Sequence, residues 1–182
     1  MAPREEGDRM TQLSYNEAFD PYHTAFRFLR LFFGCKLKRA VPYDKFRILD
    51  FYLLHPYRLQ NLQLFADDIR WRAVSRSYAK LKPYGELPDD NSLFERMAVF
   101  QKAAAGSLAR AGIISEDEWT RNLVLFAPDP VSGEVEQRCQ ELNGTMSDII
   151  GILSEINERY ALNGRDGLKA RSGLLEYRYD PV

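Results

Sequence analysis

Two segments near the N-terminal end, residues 20–34 and 44–56, constrain this chain more than anything else in it. Each reads as a short helix with marked ends and almost no polar face. Asp20 is placed to accept hydrogen bonds from the first free amides of a helix. Pro21 follows at the first helical position, where its missing N–H costs nothing. Gly34 comes after the last apolar pair and suits a left-handed C-terminal cap. Tyr22, Phe26, Leu29 and Phe33 share one face at spacings of four, three and four. Phe28, Leu31 and Phe32 cover much of the rest, and a helix apolar nearly all round is buried on more than one side. In the second segment Phe46, Leu49 and Leu53 form a stripe, Ile48, Phe51 and Tyr52 widen it, and His55-Pro56 ends it. Both runs fall short of the ~20 apolar residues that a membrane span needs, and charges interrupt them. Such a chain is built to pack, on itself and on a partner.

The remainder is mostly helical in pattern. Leu59, Leu62, Leu64, Phe65 and Ile69, then Trp71, Val74, Tyr78 and Leu81, carry helical spacing through 58–82, with room for a break. Residues 83–91 form a turn-rich loop. Ser92 with Glu95 makes a capping box for a helix that runs to about Arg110. Ala111-Gly112 ends it, Ile113-Ile114 starts a short strand, Ser115 with Glu118 marks a brief turn, and residues 121–126 read as a second strand. Helix, strand, short excursion, strand is the order that closes a winged-helix domain. A helical domain with an incidental β-hairpin fits equally well, and the acidic excursion (Glu116, Asp117, Glu118) faces phosphates badly. Val135, Cys139, Leu142, Met146, Ile149, Leu153, Ile156 and Tyr160 then alternate spacings of four and three, a heptad pattern that predicts one long helix over about 134–160. It reads as a docking helix or as a core helix. The expected fold is mainly α: a flexible lead-in at 1–14, then a single helical domain over 15–182 with a winged-helix-like element and a short β-hairpin.

Charge is divided along the chain. Residues 21–82 hold 13 Lys/Arg against 4 Asp/Glu, and residues 83–182 hold 10 against 17. A basic half attracts phosphate backbones or an acidic partner surface; the same pattern arises if the halves attract each other or if the charges are simply solvated. Arg70, Arg72, Arg76, Lys80 and Lys82, on the stretch before the loop, are the candidates for nucleic-acid or acidic-partner contact. Cys35 and Cys139 each fall on or beside an apolar helix, which suits reduced, buried thiols in a cytoplasmic protein. Residues 1–14 are polar and lack the apolar core of a secretory signal.

Catalytic groups are scarce. The histidines are His23 and His55, remote from both cysteines, and no His/Cys cluster has metal-ligand spacing. There is no glycine-rich phosphate loop, nucleophile elbow or His-Glu-x-x-His motif. Asp20, Asp50, Asp67 and Asp68 are the carboxylates that could hold a metal. Asp20 is better explained as a cap, and Asp50 can pair with Arg47 one turn earlier. No catalytic residue, cofactor or metal site is expected.

The chain nevertheless resembles a known group of proteins. Tyr15-Asn16, Phe19-Asp20-Pro21-Tyr22-His23, Phe26-Arg27 and Leu29-Arg30, followed by Arg47-Ile48-Leu49-Asp50-Phe51-Tyr52-Leu53-Leu54 and the ending at 167–180, are similar to the small middle component of ABC-three-component systems. The Lamassu-type bacterial antiphage systems belong to that group. The resemblance runs from about Tyr15 to the end, and its motifs are structural rather than catalytic. It implies a non-catalytic accessory subunit between an SMC-like ABC ATPase and an effector such as a nuclease, in a hetero-oligomer that senses DNA, and it also suggests winged-helix-like elements. The candidate partner-binding residues are Phe26, Phe33, Ile149, Leu153 and Ile156. The alternative is a winged-helix DNA-binding transcriptional regulator. Neither reading involves a membrane or a small-molecule substrate.

Overall fold

The structure, a computed structural model, describes residues 17–85 and 87–176; the lead-in expected at 1–14 lies outside the described residues. In chain order the elements are α1 (Pro21–Gly34), β1 (Val41–Pro42), α2 (Tyr43–Leu54), α3 (Trp71–Ser77), α4 (Asp90–Arg110), α5 (Glu116–Thr120), β2 (Leu123–Val124), α6 (Gly133–Gly144), α7 (Ser147–Arg159) and α8 (Leu168–Ser172). The fold is mainly α, as the periodicity predicts.

Helix α1 begins as its sequence dictates. The Asp20 carboxylate accepts from the backbone N–H groups of Tyr22 and His23 at 2.7 and 2.9 Å. Its far end differs from expectation. Gly34 is the last helical residue, and the left-handed residue is Lys36, with φ of 50°. Glycine is needed at 34 for another reason. A Cβ there would stand 2.8 Å from both Asn143 Nδ2 and Ile150 Cγ2, so its absence lets α6 and α7 close on α1.

Helix α2 is the hub. Every residue from Lys45 to Leu53 is buried, as a helix without a polar face requires. Helices α1, α4 and α7 pack around it. Aromatic rings join the layers: Phe28 meets Phe46 edge-on at 4.7 Å, and Phe51 meets Phe94 edge-on at 5.8 Å.

The sheet is small. Val41 pairs antiparallel with Val124 and Pro42 with Leu123. Beside it, Ser115 N–H donates to Leu125 O at 2.8 Å and Ala127 N–H to Ile113 O at 3.0 Å, so the two predicted β segments do approach each other. The excursion between them is the helical turn α5, begun by Ser115 Oγ accepting from Glu118 N–H at 3.3 Å, and not an extended wing.

Three other expectations change. The stretch 58–82 is 3-10 turns at Pro56–Asn61, Ala66–Asp68 and Ala79–Leu81 around the short α3. Helix α4 starts three residues early, because Asp89 rather than Ser92 caps it, accepting from Ser92 N–H at 2.9 Å and Ser92 Oγ at 2.6 Å. The long heptad helix is two helices, parted at Thr145-Met146 just after Gly144. Glycine is a weak helix former, and the break lets α6 lie on α1 while α7 lies on α2.

Candidate functional site

Three of the residues that carried the resemblance, Arg27, Arg47 and Asp50, meet in a buried polar cluster. Arg27 of α1 donates through Nε to Asp50 Oδ1 at 2.7 Å and through a terminal nitrogen to Asp50 Oδ2 at 3.1 Å. Gln101 of α4 adds a third bond to Asp50 Oδ2 at 2.8 Å, and Arg47 Nε donates to Gln101 Oε1 at 2.9 Å. Asp50 is fully buried. Its partner is therefore Arg27, and not Arg47 as local helix spacing suggests. Arg47 instead lies over the Phe94 ring at 4.3 Å and reaches Asp44 at 3.6 Å. Burying a carboxylate is costly unless it is paired and hydrogen-bonded, and these bonds fix α1, α2 and α4 against one another.

A second polar pair orients the neighbouring surface. Arg30 Nε donates to Asn143 Oδ1 at 3.0 Å while Asn143 Nδ2 donates back to Arg30 O at 2.8 Å, which locks α1 to α6. Between these helices, the end of α2 and residues 80–84 runs a groove of about 640 Å³. Its apolar lining comes from Phe26, Leu53, Leu54, Leu81, Leu142 and Met146. Tyr84, 93% exposed, stands at its margin. His23, Arg27, Arg30, Lys80, Lys82 and Arg138 supply the basic side chains, and Glu17 is the acidic residue of the lining.

The candidates named from sequence separate into four groups. Phe26, Lys80 and Lys82 come together in the groove. Phe33 is half-buried in another hollow of about 480 Å³ with Phe32, Lys36, Lys38 and Phe126. Ile149, Leu153 and Ile156 are completely buried in the chain's own core, so this end of the heptad stripe is already covered, while its Leu142 and Met146 line the groove. Arg70, Arg72 and Arg76 are exposed, Arg70 lying 3.9 Å from Glu155. Arg30, Leu81, Tyr84 and Arg138 are groove residues that sequence reasoning passed over; an aromatic in a loop otherwise full of turn residues, Tyr84, was the available signal.

Several other titratable groups are engaged or buried. Asp68, fully buried, accepts from Arg159 at 2.7 Å and from Tyr160 Oη at 2.8 Å. Burial pushes the Cys35 thiol up to about 12 and that of Cys139 up to about 11, far from the thiolate that a nucleophile requires. Burial, then the Arg58 charge, pushes His55 down to about 3. Among the described residues no three His, Cys, Asp or Glu side chains are grouped to hold a metal ion.

What the molecule offers is a rigid polar centre under an apolar, basic groove. A family described as the ABC-three component (ABC-3C) system Middle Component 5 matches residues 13–180. The chain belongs to this family. Comparison with curated proteins and with solved structures finds no match. As an ABC-3C middle component, the protein is an accessory subunit of a defence-associated system and has partner proteins. No helix among the described residues is long and apolar enough to cross a membrane.

Proposed function

We propose that this ABC-3C middle component is a non-catalytic link between an SMC-like ABC ATPase that senses DNA and an effector such as a nuclease, in a cytoplasmic antiphage complex of the Lamassu type. Family membership supports an accessory role, and the observation that carries the linking role is the groove. It joins half-buried apolar side chains to exposed ones, Leu81 and Tyr84 among them, and exposed aromatic side chains are the usual anchors of protein contacts. DNA is reached through the complex. The test is co-expression with any ABC ATPase and effector found encoded next to it. A complex of fixed stoichiometry on size exclusion is expected; a chain that elutes alone as a monomer refutes the reading.

A DNA-binding regulator is the second reading, favoured by the exposed Arg72, Arg76, Lys80 and Lys82. It requires tight binding of duplex DNA by the isolated chain with a steep salt slope. A linking subunit binds weakly or not at all.

A further inference from the structure

We infer that the groove between α1 and α6 receives an acidic, amphipathic segment of a partner protein, a proposal that rests on the linking role above and names the chemistry of one contact. Charge complementarity identifies the occupant. Of the basic residues in the lining, Arg27 is engaged by Asp50 inside the fold, and Arg138 lies 3.5 Å from Glu141. Arg30, Lys80 and Lys82 have no salt bridge among the described residues, and Lys80 and Lys82 are exposed. Arg30 is held in place by Asn143, so its charge is fixed at the groove wall before anything binds. Among the described residues of the lining, Glu17 is the one carboxylate that opposes them.

The apolar side chains decide between peptide and nucleic acid. A phosphate backbone is held by cations and hydrogen-bond donors and gains little from Phe26, Leu142 and Met146 beneath it. A peptide with apolar side chains on one face and carboxylates on the other satisfies both features at once, in the manner of an amphipathic helix laid in a groove. Tyr84 at the margin can then fold over the occupant as an aromatic contact.

Synthetic peptides test this on the full chain. One 16-residue peptide carries leucines at helical spacing and glutamates elsewhere; its twin carries lysines in place of the glutamates. Fluorescence anisotropy should show saturable binding of the first, weakened several-fold as NaCl rises from 50 to 300 mM, and at least tenfold less binding of the second. Lys80→Glu with Lys82→Glu, at exposed positions that leave the fold intact, should weaken the acidic peptide at least tenfold. Phe26→Ala, checked for native helicity by circular dichroism, should do the same. Equal binding of both peptides, no binding of either, or indifference to these variants overturns the proposal. Competition by duplex DNA that survives Phe26→Ala assigns the site to phosphates instead. Self-association without peptide that the double lysine variant abolishes assigns it to a second copy. A complex that assembles with the ATPase despite these variants removes the groove from the interface and leaves the linking role standing.

Discussion

Replacing Asp50 with alanine should be the most damaging single change to a polar residue in this protein. The carboxylate is fully buried and accepts from Arg27 twice and from Gln101 once. Without it, Arg27 is a buried cation with no counter-charge, and a Gln101 donor loses its acceptor. Breaking a buried ion pair from one side costs about 3–5 kcal/mol, and the lost bond to Gln101 adds about 1 kcal/mol. A domain of this kind has about 5–15 kcal/mol of stability in all. At about 2–4 °C per kcal/mol for this chain length, the melting temperature should fall by roughly 8–24 °C. Circular dichroism melts and urea titrations at pH 7 measure it. The companion variant Arg27→Met with Asp50→Leu removes both charges and should recover at least half the loss, because two apolar side chains are no longer a stranded charge. A loss below ~1 kcal/mol for Asp50→Ala, or a double variant no better than the single, refutes the claim that this pair is buried and coupled. The same variants bear on function, since Arg27 sits on α1 between Phe26 and Arg30, and a tilted α1 moves both groove residues.

Other expectations follow from the packing. Gly34→Ala puts a methyl 2.8 Å from Asn143 and Ile150, which should cost about 1–3 kcal/mol in a urea titration. Ile149→Asp or Leu153→Asp should abolish helicity by circular dichroism rather than merely release a partner, since both side chains are fully buried; native helicity in either would show that α7 is a surface element. His55 sits at about 3 when folded, against an ordinary value of 6.5. The unfolded chain therefore binds a proton that the native one does not. Stability from this group is complete above pH 6.5 and falls by about 1.4 kcal/mol per pH unit below it, down to the folded value. His55→Asn should flatten that limb of the pH–stability curve by this slope, and an unaltered slope would place His55 in contact with solvent.

Local signals were legible and long-range ones were not. Asp20, Pro21 and the all-round apolar faces of α1 and α2 mark those helices within a few residues, because capping and periodicity are properties of neighbouring side chains. The heptad pattern correctly put Cys139, Ile149, Leu153 and Ile156 on one apolar stripe. It could not show that the stripe bends after Gly144 to meet two different helices. The stretch 58–82 kept helical spacing yet folded as short turns, since Tyr160 Oη, 95 residues away, accepts from Phe65 N–H, and Ser75 Oγ folds the stretch on itself by accepting from Gln60 N–H. Asp89 displaced Ser92 as the cap of α4 because either residue type can serve and only the entering backbone decides. The groove was half legible. Phe26, Lys80 and Lys82 stood out by type, but nothing in their spacing brings α1 beside residues 80–84.

The divided charge of the chain resolves in the same way. Much of the positive half answers to needs inside the fold: Arg27 to Asp50, Arg58 to Asp90, Lys45 to the carbonyl of Asn157, and Arg70 to Glu155. Arg58 and Arg70 reach carboxylates of the acidic half, so the two halves do attract each other in part. The cations left over at the surface fall in two stretches, Lys36 to Arg39 and Arg72 to Lys82. Only the second borders the groove, through Lys80 and Lys82. Exposed charges with no internal partner contribute little to stability, so changing them should alter association while leaving the melting temperature within a degree or two. That separation gives an electrostatic contact its signature. Charge reversal at Arg72 and Arg76 tests DNA or acidic surfaces at large, charge reversal at Lys80 and Lys82 tests the groove, and a change confined to the second pair points to a peptide held between α1 and α6.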